Sequence, residues 1–198
     1  MSAAAISLKE IQQPRNLPYR GKVAMASLII AEASIFTIFV VAYLFYIGKS
    51  LTGPTPREVL ETPIFFTMCL LSSSVTIHYA GKFLQKGERG AFLSLWSVTI
   101  VLGGLFLFGT GQEWHRLIYE HGLTISTNLF GTTYYSLVGL HAFHVTAGMI
   151  MLVIVAIFAF AGRLEREHSR QVEVLSMYWH FVDVVWIVVF TVVYVLGR

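Results

Sequence analysis

The sequence predicts an all-α polytopic membrane protein with five transmembrane helices in a bundle. Of its 198 residues, 56% are hydrophobic and 13% are charged, whereas soluble domains are about 45–50% apolar and about 25% charged. Five apolar segments, each close to the roughly 20 residues that cross a bilayer, are separated by short linkers. His180 and Asp183 lie inside the last segment. Because an ionised Asp in hydrocarbon costs about 2.5 kcal/mol or more, we expect this helix to turn its polar face toward protein.

Residues 1–22 form a polar, basic segment that we predict to be a cytoplasmic tail preceding a membrane domain at 23–198. The tail has no short apolar core followed by a small-residue cleavage site, so we interpret it as retained rather than as a signal peptide. Cys69 is the single cysteine, which excludes an internal disulfide. No nucleic-acid motif accompanies the basic residues, so we expect no nucleic-acid partner.

The positions of Lys and Arg predict the orientation of the helices. The predicted spans are 23–47, 63–84, 91–112, 130–161 and 172–196. Ten of the fourteen Lys and Arg residues fall in the tail and in the turns at 82–90 and 162–171. The positive-inside rule then places the N-terminus inside and the C-terminus outside. Arg163, Arg166 and Arg170 of the second turn are either solvated topology signals or contacts for lipid phosphate.

The first span contains one acid, Glu32, and Phe36 and Tyr43 follow it on the same helix face. A carboxyl at this depth is either a protonated group that is hydrogen-bonded to a neighbouring helix or a group that handles protons or contacts a partner. Desolvation should favour its neutral form in both cases.

The fourth span carries His141 and His144, which share one face with Tyr134 and Gly148. Two histidines at i and i+3 can hold a metal only if other helices supply further ligands. The alternative is that both rings form hydrogen bonds across a helix interface.

The fifth span has a polar stripe about 80° wide on an ideal helix. Its members are Glu173, Ser176, His180, Asp183, Thr191 and Tyr194. Counting residues along the spans places Glu32, His78, His180 and Asp183 between the inner half and the midplane of the membrane, with His141 and His144 further out. The same count places Glu113 and His115 at the membrane surface, in water.

Several stretches together resemble subunit III of the haem–copper terminal oxidases. The two most specific are NLFGTTYYSLVGLHAFHVTAG, with its G-x-H-x-x-H-V-x-x-G pattern, and YWHFVDVVWIVVFTVVY. LIIAEASIFTIFVVAYLFY, LLSSSVTI and GLFLFGTGQEW resemble the family's acid-containing, serine-rich and glycine-rich helices. The resemblance covers nearly the whole chain beyond the tail and corresponds to a five-helix bacterial form.

The resemblance implies a non-catalytic subunit of a bacterial inner-membrane enzyme complex. Haem and copper would lie in partner subunits, where subunit I reduces O2 and pumps protons beside subunit II. This chain would stabilise subunit I, support proton uptake and bind phospholipid. Glu32 would be the buried carboxylate, and His141, His144, His180 and Asp183 would be packing or cleft-lining groups, with no metal. The mitochondrial form has two further helices, which build one arm of its lipid cleft.

Three other functions remain open from the sequence. One is a subunit III-like component of a nitric oxide reductase. Another is a membrane b-type cytochrome that uses His78 and His180, with His141 or His144 as a further candidate ligand. The third is a transporter with Glu32 and Asp183 as proton carriers. The choice between cytochrome c and quinol as the electron donor of an oxidase depends on subunit II rather than on this chain.

Overall fold

The computed structural model describes residues 19–50 and 52–197, and the regular structure in these ranges is entirely helical. Within these described ranges, five helices are long and apolar enough to cross a membrane, which confirms the predicted fold class. The predicted tail up to residue 18 and Arg198 lie outside the described residues. In chain order, the elements are α1 (Arg20–Tyr46), the short α2 (Pro56–Val59), α3 (Ile64–Lys86), α4 (Arg89–Tyr119), α5 (Leu129–Phe160), a 3-10 turn (Arg166–His168), α6 (Ser169–Phe190) and a π-helical turn (Thr191–Leu196).

Short connections join the long helices into an antiparallel bundle. Gly87 ends α3 with a φ of 81°, and its N–H bonds to the Leu84 carbonyl, so the chain reverses directly into α4. Gly162 has a φ of 81° just beyond α5. Glycine suits both positions because a Cβ atom is strained in this left-handed conformation.

Helix α6 lies at the centre of the bundle, where it packs against α1, α3 and α5. Helix α4 completes the bundle by packing against α3 and α5. The α6 side chains Trp179 and Trp186 are almost fully buried. Gly148 lies close to the Trp179 ring, and a Cβ atom added there would lie 2.9 Å from that ring. Small residues at such positions let helices approach closely in a membrane.

Helix α4 continues to Tyr119, past the predicted end of its span at Gln112. The prediction ended where the apolar run ended, but the following turns still bury apolar groups. Leu117 is fully buried, and Trp114 packs against the core. Packing therefore extends the helix through a polar stretch. Glu113 and Arg116 consequently lie on a helical backbone.

The segment between α1 and α3 is attached to the N-terminus of α5. Asn128 caps α5 by accepting a hydrogen bond from the Gly131 N–H at 2.8 Å. Its amide nitrogen donates to the carbonyls of Thr52 and Pro54. One side chain therefore both caps a helix and fixes the loop beside it.

Candidate functional site

Glu32 and His144 form an acid–histidine pair between α1 and α5. Glu32 Oε2 lies 3.1 Å from His144 Nε2. The His144 side chain is 8% exposed and that of Glu32 is 24% exposed, so the contact lies at the edge of the bundle interior. The Phe36 ring, one turn along α1, packs on the His144 ring at 5.0 Å between centroids.

The hydrogen bonds of His144 define how many protons the pair holds. His144 Nδ1 lies 2.8 Å from the Leu140 carbonyl, which can only accept, so Nδ1 carries a proton. The contact between Nε2 and Glu32 then holds one further proton, on the imidazole or on the carboxyl. The acid–histidine pair is neutral as a unit in either arrangement, which lowers the cost of placing it in the membrane.

The acid–histidine pair corrects the depth that was predicted for these residues. The sequence placed Glu32 at the same depth as His180 and Asp183, between the inner half and the midplane of the membrane, with His141 and His144 further out. Counting residues from the span ends assumes helices of equal length and tilt, whereas α5 extends from Leu129 to Phe160 and is longer than α1. Because Glu32 contacts His144 directly, these two residues lie at the same depth.

His141 lies on the same buried face of α5 as His144, Tyr134 and Gly148, as predicted. It is fully buried, and its ring stacks on Trp186 at 4.9 Å and 27°. Neither of its ring nitrogens has a hydrogen-bond partner among the described residues. Of the two alternatives for these histidines, a hydrogen bond across a helix interface therefore holds for His144 but not for His141, whose contacts are aromatic.

Ser74, His180 and Asp183 form a serine chain between α3 and α6. The Ser74 hydroxyl donates to Asp183 Oδ2, and its oxygen lies 3.0 Å from His180 Nδ1. Because the one hydroxyl hydrogen of Ser74 goes to Asp183, the Ser74 oxygen accepts from His180 Nδ1–H. The His78 ring lies beside that of His180 at 6.3 Å between centroids, so these two histidines lie together as predicted.

The tryptophans of α6 extend this set of contacts with α3. Trp179 Nε1 donates to Ser73 Oγ at 2.8 Å, and Trp186 Nε1 donates to Thr67 Oγ1 at 3.1 Å. Most of the predicted polar stripe therefore contacts protein. Thr191 is the exception, because it is exposed and donates only to the carbonyl of Ile187 in its own helix.

Sequence reasoning missed a glutamate–tyrosine cluster formed by Glu113, Tyr134 and Tyr194. The Tyr194 hydroxyl donates to Glu113 Oε2 at 2.8 Å and lies 3.4 Å from the Tyr134 hydroxyl. Both tyrosines are buried. The expectation that water solvates Glu113 is therefore wrong, whereas His115 is exposed as expected. Tyr194 belonged to the predicted stripe, but its partner lay beyond the predicted end of the third span.

The three arginines that were considered for lipid phosphate lie at the opposite end of the bundle from the C-terminus. Arg163, Arg166 and Arg170 are all exposed. Arg166 and Arg170 line a surface depression of about 700 Å³ together with Glu165 and Glu167. Two carboxylates beside two guanidinium groups leave this surface with little net charge.

No group of three or more His, Cys, Asp or Glu side chains is arranged to hold a metal ion in the described parts of the chain. The arrangement gives three polar contacts between helices: the acid–histidine pair and the serine chain each join two helices, and the glutamate–tyrosine cluster joins α4, α5 and the C-terminal turn that follows α6. Its chemistry is that of hydrogen bonding and proton sharing within a membrane.

Comparison with known proteins gives consistent matches. Residues 21–198 match the family model described as Cytochrome c oxidase subunit III. The chain is 33% identical over 168 residues to cytochrome c oxidase subunit 3 of Alkalihalophilus pseudofirmus, covering 84% of this chain and 82% of that one. It is 32% identical over 171 residues to cytochrome bo(3) ubiquinol oxidase subunit 3 of Pseudomonas aeruginosa, covering 85% of this chain and 81% of the relative. Cytochrome c oxidase subunit 3 of Bacillus sp. strain PS3 is 33% identical over 168 residues, which is 84% of this chain and 81% of the other.

Proposed function

Because the chain belongs to the cytochrome c oxidase subunit III family, we propose that it assembles with the catalytic subunit I and with subunit II of a respiratory haem–copper oxidase. The observation that carries this proposal is the family match over residues 21–198, which includes all five membrane helices. The chain is an accessory subunit III. Haem and copper lie in the partner subunits, where O2 is reduced and protons are pumped.

The proposed location is the inner membrane of a bacterium, with the N-terminus inside and the C-terminus outside. The relatives named above are bacterial, and the distribution of Lys and Arg supports the orientation. A cysteine-labelling experiment tests the orientation: in a variant with Cys69 replaced by Ser, a cysteine at Glu120 should react with a membrane-impermeant maleimide added outside. One at Glu88 should react only after the membrane is opened.

The proposed work of the chain is to stabilise subunit I and to support its proton supply. The acid–histidine pair supports this proposal because it holds a shared proton at the surface of α1, where Glu32 is partly exposed. His180 and Asp183 are proposed to fix α6 against α3, while His141 fills the space between α5 and α6 as a packing group.

Phospholipid is the proposed ligand of this accessory role. An apolar groove of about 310 Å³ runs between α1 and α6, and Phe36 and Phe181 contribute to its lining. An acyl chain fits its chemistry, because its walls are apolar and open toward the bilayer. Arg163, Arg166 and Arg170 are proposed as phosphate contacts on the basis of their exposure at a helix end.

Deletion of the chain from the complex tests the proposed function. Oxidase that lacks this chain should begin O2 consumption at a rate close to that of the complete complex, because subunit I retains the cofactors. It should then lose activity faster during continuous turnover. Readdition of the chain should restore the lifetime. Equal lifetimes with and without the chain would contradict the protective role.

A further inference from the structure

The outer surface of α3 carries a histidine that lies at membrane depth without a hydrogen-bond partner. His78 is exposed, and neither of its ring nitrogens forms a hydrogen bond with the described parts of the chain. The 23 residues of α3 extend over about 34 Å, little more than the roughly 30 Å of the hydrocarbon region. His78 lies about 12 Å from the end of α3 at Lys86 and therefore within that region. Because lipid tails neither donate nor accept hydrogen bonds, a polar ring at this depth points to a partner group.

His180 on α6 presents an unused hydrogen-bond acceptor beside His78. Because the Ser74 hydroxyl donates to Asp183, its oxygen accepts from His180 Nδ1–H at 3.0 Å. A neutral imidazole with its proton on Nδ1 keeps a lone pair on Nε2. The His180 ring is only partly buried, and its Nε2 receives no hydrogen bond from any described residue. The serine chain therefore defines which nitrogen of His180 is free and makes that nitrogen an acceptor.

The rings of His78 and His180 are too far apart to bond to each other directly. Their centroids are 6.3 Å apart, and the ring planes are inclined by 56°. A ring nitrogen lies about 1 Å from its centroid, so a direct bond of about 3 Å requires centroids within about 5 Å. One oxygen atom between the two nitrogens extends this limit to about 8 Å. A tetrahedral zinc ion, with Zn–N bonds of about 2 Å, would again require about 5 Å. The observed separation therefore fits a bridging oxygen atom.

The bridging group has to accept a hydrogen bond from His78 and donate one to His180 Nε2. A hydroxyl does both, whereas a carboxylate only accepts and an ammonium only donates. The depth of the two histidines excludes lipid head groups. A water molecule can form the two bonds, but its second hydrogen would then face hydrocarbon without an acceptor. A side-chain hydroxyl has a single hydrogen, and the carbon atoms that carry it add apolar contact, so it fits this position better than water.

We propose that a transmembrane helix of a partner subunit covers this face of α3 and α6 and places a serine, threonine or tyrosine hydroxyl between His78 and His180. The hydroxyl accepts from His78 and donates to His180 Nε2. Val75 and Tyr79 flank His78 on α3, and at 57% and 49% exposure they provide the surrounding contact surface. This inference rests on the proposed function, because it needs a partner subunit, and it adds the face and the chemistry through which that partner binds.

His78→Phe tests the hydrogen bond, because it keeps a ring of similar size and removes both nitrogens. Partner subunits should dissociate from this variant in mild detergent about threefold more readily than from the wild-type chain, which corresponds to an average interhelical hydrogen bond in a membrane. Tyr79→Phe, an exposed change one residue away, is the matched control and should leave retention unchanged. Wild-type retention in His78→Phe, or equal losses in the two variants, would overturn the inference.

Photo-crosslinking in intact membranes tests the occupant of this face. A benzophenone amino acid at Val75 of the tagged full chain should form an adduct with a transmembrane segment of a partner subunit, and that segment should contain Ser, Thr or Tyr. Ile154, which is 47% exposed on the apolar outer face of α5, is the matched control position and should give little adduct.

The outcomes of this crosslinking separate the inference from the proposed function. Partner subunits that co-purify without an adduct at Val75 would overturn the inference and leave the proposed function standing. An adduct with a segment that has no hydroxyl side chain, or equal adduct yields at Val75 and Ile154, would do the same. A chain that co-purifies with no other subunit would overturn both.

Discussion

Single polar residues inside this bundle join helices in pairs. Glu32 meets His144 across α1 and α5, and Ser74 meets Asp183 across α3 and α6. Water does not compete for these groups in the hydrocarbon region, so a polar side chain that finds a partner on another helix holds the two together. Measured contributions of such contacts are modest, about 0.6 kcal/mol on average, so each works together with the surrounding packing.

Glu32→Gln removes the proton that the acid–histidine pair can release but keeps the contact with His144. The amide N–H of Gln can still donate to His144 Nε2, so the subunit should remain in the complex at wild-type stoichiometry. The variant cannot release a proton, and we expect the activity of the complex to decline faster during continuous O2 consumption. The time course of O2 consumption measures this effect.

Glu32→Ala is the companion variant, because it removes both the proton and the contact. It should lower subunit retention as well, as measured by quantifying the subunits after purification. A wild-type turnover lifetime for Glu32→Gln would show that Glu32 is a structural carboxyl only.

Ser74→Ala tests the serine chain. The change removes the donor to Asp183 Oδ2, and Oδ1 already lacks a partner among the described residues. A buried acceptor left unpaired costs about 1–3 kcal/mol, so the thermal unfolding temperature in detergent should fall. Ser94→Ala, which removes only a bond to the Gly90 carbonyl within α4, is the matched control and should change it little. Equal effects of the two substitutions would contradict the role of the serine chain.

The sequence predicts which residues face the interior of the bundle better than it predicts which residues they contact. The sequence identified the buried faces of α5 and α6, because helical periodicity depends only on spacing. It could not predict that Glu32 meets His144, since that contact depends on helix length and packing. Nor could it predict the stacking of His141 on Trp186, which requires the relative position of two helices.

At the scale of helices, the close approach of α5 and α6 depends on Gly148. A Cβ atom there would lie 2.9 Å from the Trp179 ring, which is fully buried and has little freedom to move. Gly103 on α4 faces the same ring, at 3.0 Å for an added Cβ. The glycines of α4 and α5 therefore define the space that the α6 tryptophan occupies.

Gly148→Ala should destabilise the chain by about 1–3 kcal/mol, the range for overpacking a well-filled core. Gly104→Ala is the matched control, because nothing lies within 4 Å of an added Cβ atom there. It should be neutral or slightly stabilising, since Ala favours helix over Gly. Unfolding monitored by circular dichroism in detergent measures both. A wild-type midpoint for Gly148→Ala would contradict the tight contact.

The C-terminal turn of the last helix departs from the periodicity of an α-helix. Residues Thr191–Leu196 adopt a π-helical turn, and the consecutive residues Val192, Val193 and Tyr194 are all buried. An ideal α-helix would not bury three residues in a row on one side. The local change in winding therefore exposes Thr191 while Tyr194 faces Glu113, which the sequence pattern could not predict.

As a whole, the described part of the molecule is a bundle of five long helices with a central α6 and a peripheral α1. Helix α1 packs on α5 and α6, and most of its apolar side chains remain exposed, among them Ile30, Ile38 and Val41. Such a surface suits lipid or other membrane subunits. Composition and span length could establish the number of membrane helices, because they depend on the bilayer and not on detailed packing, whereas the central place of α6 depends on packing.

Affinity purification of the tagged full chain in mild detergent tests whether the chain is a subunit of a haem–copper oxidase. The eluate should contain haem, consume O2 and include oxidase subunits I and II. After harsher detergent separates the subunits, the fraction with this chain should show no Soret absorption. A stoichiometric haem that stays with the isolated chain, or an eluate that reduces nitric oxide but not O2, would show that the chain is not a haem-free subunit of an O2-reducing oxidase.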